Sequence, residues 1–161
     1  PLPVYVQPPC PAPGYMWTPG YWAWGPDGYY WVPGTWVMPP AVGLLWTPGY
    51  WGWSAGAYVW NPGYWGLQVG FYGGVVYGCG YDGEGFDGGY WRGDRYYYNT
   101  AVTNVNTTVV RNVYRRPLPE RGVSAASYNG GPGGIPARPT PEQARAARER
   151  HWAPTSAQLR H

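Results

Sequence analysis

The chain has 161 residues and a formal net charge of +3, and its 26 Gly and 20 Pro would by themselves mark it as low-complexity or disordered. Aromatic residues at 19% and charged residues at only 12% contradict that reading, because disordered segments are poor in rings and rich in charge. Together the values exclude an ordinary aliphatic-core enzyme, a solvated linker and a collagen, and leave an aromatic-rich β protein punctuated by Gly and Pro.

The chain opens on a Pro-rich arm, residues 1–14. Pro1 stands where an initiator Met or a signal peptide would be, so the segment reads as mature or trimmed. From Pro1 to Tyr81 the single charged residue is Asp27, although ten of the twelve tryptophans lie there; the remainder carries eleven Arg and seven acids, and lysine is absent. An uncharged aromatic half exposes large apolar patches unless another chain, the rest of this one, a glycan or a membrane-proximal surface covers it. No apolar run is long enough to span a bilayer, since Pro or Gly interrupts each one. Cys10 in the arm and Cys79 further on are the only cysteines. They are expected to pair, closing a loop of about seventy residues worth roughly 4 kcal/mol, with two free thiols as the alternative.

Residues 15–66 contain a repeat. Trp17–Trp36 and Trp46–Trp65 align without gaps at an offset of 29 with 12 of 20 positions identical. Inside each copy a smaller unit, W-x-P-G-x-W, occurs twice, beginning at Trp17, Trp31, Trp46 and Trp60. Pro presets φ for the second position of a β-turn and Gly accepts the positive φ that a type II turn needs next, so the Pro-Gly pairs are expected to be turn centres. The two tryptophans of each unit then flank the turn as a cross-strand pair. Between units, Gly25-Pro26-Asp27-Gly28 reads as a hairpin turn, and alternation puts Trp22 with Trp24, and Tyr29 with Trp31, on one face. The expected fold is all-β: a meander of short antiparallel strands from two 29-residue aromatic repeats, followed by a Pro/Gly-rich extended tail with one short C-terminal helix.

These residues resemble the bacterial YXWGXW (WXXGXW) repeat proteins. Tyr21-Trp22-Ala23-Trp24-Gly25 and Tyr50-Trp51-Gly52-Trp53 stand close to the family motif, with Ala23 and Gly52 at its variable places. The likeness extends into the Gly/Tyr block and Ser127-Tyr128-Asn129-Gly130-Gly131-Pro132-Gly133-Gly134-Ile135. It implies a small protein exported to the envelope or exterior of a Gram-negative bacterium, and it implies no catalysis.

Residues 67–114 continue the aromatic theme with Gly in place of Pro. Tyr90 to Tyr97 reads as a hairpin with Gly93-Asp94 in a II′ turn. Asn99 to Tyr114 is dense in Val and Thr and is expected to be a strand able to add to another sheet edge. The tail, 115–161, is rich in Arg and Pro. Its helix is expected over about 141–152, with Thr140 as N-cap, Pro141 at N1 and Gln143 closing a capping box.

Chemistry is sparse. His151 and His161 lie in the tail, neither cysteine has an activating neighbour, and no nucleophile–base pair can be assembled, so the chain reads as a non-enzyme without cofactors. The only carboxylate cluster, Asp82, Glu84 and Asp87 on a Gly-rich loop, is a weak Ca²⁺ candidate whose spacing departs from the EF-hand. Nucleic acid is not expected, because single strands need a cationic groove and the Trp-rich half has no Arg or Lys. Two functions remain. The first is self-assembly into a fibre or envelope layer, a homo-oligomer or polymer, through Trp17, Trp22, Trp24, Trp31, Trp36, Trp46, Trp51, Trp53, Trp60 and Trp65, because two repeats leave edges and faces for a neighbour to cover. The second is binding of a cell-surface polysaccharide or peptidoglycan on the same aromatic faces.

Overall fold

The computed structural model describes residues 1–118 and 126–160. It is built from short strands, mostly antiparallel, with two small helices. The first repeat supplies β1 (Met16–Thr18), β2 (Tyr21–Gly25), β3 (Gly28–Val32) and β4 (Thr35–Val37); the second supplies β5 (Leu45–Thr47), β6 (Tyr50–Ser54), β7 (Ala57–Asn61) and β8 (Tyr64–Gly66).

All-β architecture is as expected, but the pairing inside each repeat is nested. β2 pairs with β3 across the central turn, and β1 pairs with β4 around the outside, so each repeat is one long hairpin in two tiers. Trp17 faces Trp36 and Trp22 faces Trp31; the second repeat duplicates this with Trp46 opposite Trp65 and Trp51 opposite Trp60. The tryptophans flanking one Pro-Gly pair are therefore not partners, which corrects the expectation. Proline has no N–H to donate to a ladder, so pairing is interrupted wherever one occurs. The nested register sets Pro19 against Gly34 and Gly20 against Pro33, so both strands break at one level and resume beyond it.

Glycine's role at these corners also differs from expectation. Gly20, Gly34, Gly49 and Gly63 do not have positive φ, so they are not the third residues of type II turns. A Cβ on Gly34 would lie 2.4 Å from the Trp17 ring and 2.9 Å from the main-chain nitrogen of Gly20. These glycines let two backbones and a Trp ring close up. Positive φ is used instead at the hairpin ends, at Gly28 (φ 104) and at Ala55-Gly56 (φ 51 and 83).

The Gly/Tyr block supplies β9 (Val76–Gly78), β10 (Tyr81–Asp82), β11 (Gly89–Arg92) and β12 (Arg95–Asn99). Arg92 pairs with Arg95, and Gly93 has φ 62 while Asp94 is not at positive φ, which is the expected II′ turn. The Asn99–Tyr114 strand is not formed; only β13 (Val113–Tyr114) pairs, parallel to β12. Asparagine side chains divert it: Ala101 N–H donates to Asn99 Oδ1 at 3.1 Å and Thr108 N–H to Asn106 Oδ1 at 3.0 Å, nucleating turns. Val110, fully buried, packs into the core from one of them.

In the tail, β14 (Tyr128–Asn129) runs parallel to β6. The helix α1 (Pro141–Ala146) has the expected capping box and N1 proline, but it stops six residues before Trp152. His151 explains the stop: its Nε2 lies 2.9 Å from the Ala146 carbonyl, and its ring stacks on Tyr64 at 3.7 Å. The chain is thereby drawn off the helix axis, and Trp152 exchanges both main-chain hydrogen bonds with Trp65. A second capped helix, α2 (Ser156–Leu159), follows, and Gln158 Oε1 accepts from Trp65 Nε1 at 2.8 Å. Among the described residues no helix is long and apolar enough to cross a membrane.

One core joins these parts. Trp46 and Trp65 of the second repeat pack with Tyr72, Val75, Tyr77, Tyr81, Tyr96, Tyr98, Val110 and Ile135 from the later segments. Tyrosine rather than phenylalanine suits this core because the hydroxyls donate to repeat carbonyls, Tyr77 to Gly49, Tyr81 to Trp46 and Tyr98 to Tyr15. Much of the cover that the uncharged half requires thus comes from the rest of the same chain.

Candidate functional site

Alternation along the two hairpins sorts the ten repeat tryptophans. Trp17, Trp46 and Trp65 are buried and Trp36 packs against the core, so the outer tier is structural. The inner tier carries Trp22, Trp24 and Trp31 on one hairpin and Trp51, Trp53 and Trp60 on the other, and these remain half-buried or exposed. Each inner pair is an edge-to-face or tilted contact: Trp22–Trp31 and Trp51–Trp60 at 5.4 Å, Trp24–Tyr29 and Trp53–Tyr58 at 4.8 Å. The hairpins meet side by side. Trp51 Nε1 donates to the Trp22 carbonyl at 2.8 Å, Tyr29 meets the Trp51 ring at 5.4 Å, and Tyr21 stacks on Trp60 at 5.1 Å.

This junction opens into a cleft of about 600 Å³. Trp22 and Tyr29 form one wall, Trp51, Trp53 and Tyr58 the other, and Ser127, Tyr128 and Pro132 of the tail with Pro1 complete it. Tyr128 enters because β14 sets it opposite Trp51, and its ring meets Tyr58 edge-on at 5.0 Å. Apart from phenols, no ionisable side chain among the described residues lines the cleft. Loss of hydration, with the hydroxyls of Tyr128 and Tyr29 nearby, pushes the Tyr58 phenol above its ordinary value. The described side chains of the walls are therefore flat and mainly apolar and carry no formal charge, with hydroxyls of Ser127 and the tyrosines as polar points.

Of the ten tryptophans, Trp22, Trp51 and Trp53 are brought together in the cleft, and Trp24, Trp31 and Trp60 lie outside its lining. Tyr29 and Tyr58 were not among the candidates, although they are the same repeat position 29 residues apart and carried the signal. Ser127, Tyr128 and Pro132 had no signal, since a two-residue parallel strand cannot be read from local sequence.

The Cys10–Cys79 disulfide is not formed: both thiols are free. Cys10 is buried beside Tyr98 and donates to the Ala12 carbonyl at 3.3 Å, whereas Cys79, at φ 55, faces Tyr5. Each has its own aromatic partner, which leaves neither aimed at the other. Asp82, Glu84 and Asp87 are not gathered as a Ca²⁺ site either; among the described residues no three His, Cys, Asp or Glu side chains come together to hold a metal. Asp82 is in a strand and pairs with Val76, which separates it from the loop that follows.

The WXXGXW repeat matches the chain in two copies, over residues 13–37 and 42–65, which coincide with the two hairpins. No curated protein and no solved structure matches the chain.

Proposed function

Because the chain is a WXXGXW-repeat protein whose two repeats form the walls of one cleft, we propose that it is a non-catalytic binding module for a neutral glycan of the cell surface or its surroundings. The aromatic cleft between the hairpin tips carries this reading. A pyranose ring has an apolar face of axial C–H groups and an equatorial rim of hydroxyls, so it is matched by flat indole and phenol surfaces edged with hydroxyls. The absence of charged side chains among the described residues of the walls favours an uncharged sugar over a uronate or a phosphate. Binding at the outer face of an exported protein fits an uncharged repeat half that buries its outer tryptophans and shows only the inner ones.

The test is retention on insoluble neutral polysaccharides and on peptidoglycan sacculi, followed by titration of tryptophan fluorescence with soluble oligosaccharides. Saturable retention with a fluorescence shift is expected; a chain that stays in the supernatant with an unchanged spectrum over all of them overturns the reading.

Assembly into a fibre or layer is a second reading, favoured by the outer edges of β3 and β7, which pair with nothing among the described residues and carry exposed Tyr30 and Val59 with no charge to block a neighbour. Light scattering that shows a dilution-stable monomer removes it.

A further inference from the structure

Trp24 and Trp53 occupy the same position in the two repeats, and their surroundings differ. Trp24 is 64% exposed and lies outside the cleft lining, while Trp53 is 42% exposed and forms part of it. The difference is the loop that leaves β14. Gly130 and Gly131 lie against Trp53: a Cβ on Gly130 would stand 3.1 Å from the Trp53 Cβ, and one on Gly131 would stand 2.8 Å from its ring and 2.7 Å from the Tyr58 hydroxyl. Nothing wider than bare backbone fits there. Gly130, Gly131 and Gly133 all have positive φ between 70 and 75, a conformation that side chains disfavour on their own account.

The loop is built to hold this position. Ile135 N–H donates to the Tyr128 carbonyl at 3.0 Å, Gly130 N–H to the Ile135 carbonyl at 2.9 Å, and Ile135 is anchored in the core. The Asn129 side chain lies within hydrogen-bond distance of three carbonyls, with Nδ2 at 3.0 Å from Gly73, 3.0 Å from Ile135 and 2.9 Å from Ala137. It therefore ties the two ends of the loop to each other and to the Gly/Tyr block at Gly73. Tyr58 donates to the Gly130 carbonyl at 3.3 Å, fixing the second ring beside Trp53.

We propose that the Asn129-anchored loop Tyr128–Gly134 converts Trp53, alone of the two repeat-equivalent tryptophans, into a preorganised stacking platform for a pyranose ring, with Tyr58 and Tyr128 as its flanks. The inference rests on the glycan reading above and goes beyond it in naming the ring that stacks and the residues that hold it. An aromatic ring fixed by backbone packing loses little rotamer freedom on binding, whereas an unsupported exposed ring must be ordered by the ligand. Asn129 and Gly131 are positioning residues; they act through Trp53 and Tyr58.

The experiment compares Trp53→Ala, Trp24→Ala, Asn129→Ala and Asn129→Asp with the unaltered chain, using whichever neutral hexasaccharide the unaltered chain binds. Affinity comes from fluorescence titration, fold retention from far-UV circular dichroism and thermal melting, and ring order from the near-UV aromatic bands. Trp53→Ala is expected to weaken binding at least tenfold, and Trp24→Ala less than twofold. Asn129→Ala is expected to weaken binding and reduce the near-UV bands together while the far-UV spectrum is kept. Asn129→Asp should not rescue, because a carboxylate has no N–H to donate to these carbonyls. If Trp24→Ala costs as much affinity as Trp53→Ala, or a folded Asn129→Ala chain binds as the unaltered one does, the platform is overturned while glycan binding stands. If the unaltered chain binds no neutral hexasaccharide, glycan binding itself fails and the platform with it.

Discussion

Trp51 donates its indole N–H to the main-chain carbonyl of Trp22 at 2.8 Å, and the two are the same residue of successive repeats. The equivalent donor, Trp22 Nε1, reaches the Pro1 carbonyl at 3.2 Å instead. One side chain thus joins layer to layer, and the N-terminal arm takes the place of a preceding layer. Trp51→Phe keeps most of the ring but removes the donor and leaves the Trp22 carbonyl unpaired in a part-buried junction. A loss of about 1–2 kcal/mol is expected in urea denaturation. Trp22→Phe, whose bond is solvent-exposed, is expected to lose less than about half as much by the same measurement.

Close approach at the Pro-Gly corners gives a second test. A Cβ on Gly63 would stand 2.4 Å from the Trp46 ring and 2.7 Å from the Thr47 carbonyl, both buried. Gly63→Ala is therefore expected to destabilise by about 1–3 kcal/mol, the range for overpacking, read as a lowered denaturation midpoint. A Gly63→Ala chain with unchanged stability would mean that the two tiers are not packed as described.

The hairpin ends offer an improvement. Ala55 sits at φ 51 beside Gly56 at φ 83, a type I′ arrangement that alanine enters only with strain. Ala55 is exposed at the tip, so nothing else constrains its side chain. Ala55→Asn is expected to raise stability by about 0.5–1 kcal/mol, because Asn-Gly is the preferred pair for this turn.

Alkaline stability should be set by phenols. Burial raises Tyr72, Tyr77, Tyr81, Tyr96 and Tyr98 above the ordinary value, and burial together with the facing Cys79 pushes Tyr5 up to about 12. A folded-state pKa above the unfolded value of about 10 stabilises the fold fully below pH 10 and loses that contribution as pH climbs toward the folded value. Stability is expected to fall from about pH 10 upward. Phenolate absorbance should rise in two steps, exposed tyrosines first and the buried set together at alkaline unfolding; a single smooth titration with retained structure would contradict the burial.

Both thiols are free, and burial raises each above the ordinary thiol range. The thiolate is the reactive form, so disulfide-exchange reagents should label the folded chain slowly and both sites rapidly in denaturant. Electrophoretic mobility should be the same with and without reductant.

Several features were legible in the sequence because their causes are local. The 29-residue period, the II′ turn at Gly93-Asp94 and the Thr140 capping box each depend on residues within a few positions of one another, and they appear where the spacing put them. The all-β class follows from the same turn chemistry. Partner choice between strands does not. Trp17 pairs with Trp36 rather than Trp22 because the Pro-Gly corners do not reverse the chain: their glycines lack positive φ, the ladder breaks there and resumes, and the resulting register depends on two corners meeting in space. Asn99 to Tyr114 has the composition of a strand, and Asn99 and Asn106 turned it aside by bonding their own backbone neighbours. The cleft lay still further from local reading. Its Trp22, Tyr29, Trp51, Trp53 and Tyr58 come from the repeats, but the loop that separates Trp53 from its twin Trp24 arrives from more than seventy positions downstream, on a strand of two residues. Local propensity fixes the hairpin ends and which rings share a face; only burial and hydrogen-bond satisfaction over the whole chain decide whether the Pro-Gly corners reverse the chain, which rings are covered and which stay exposed.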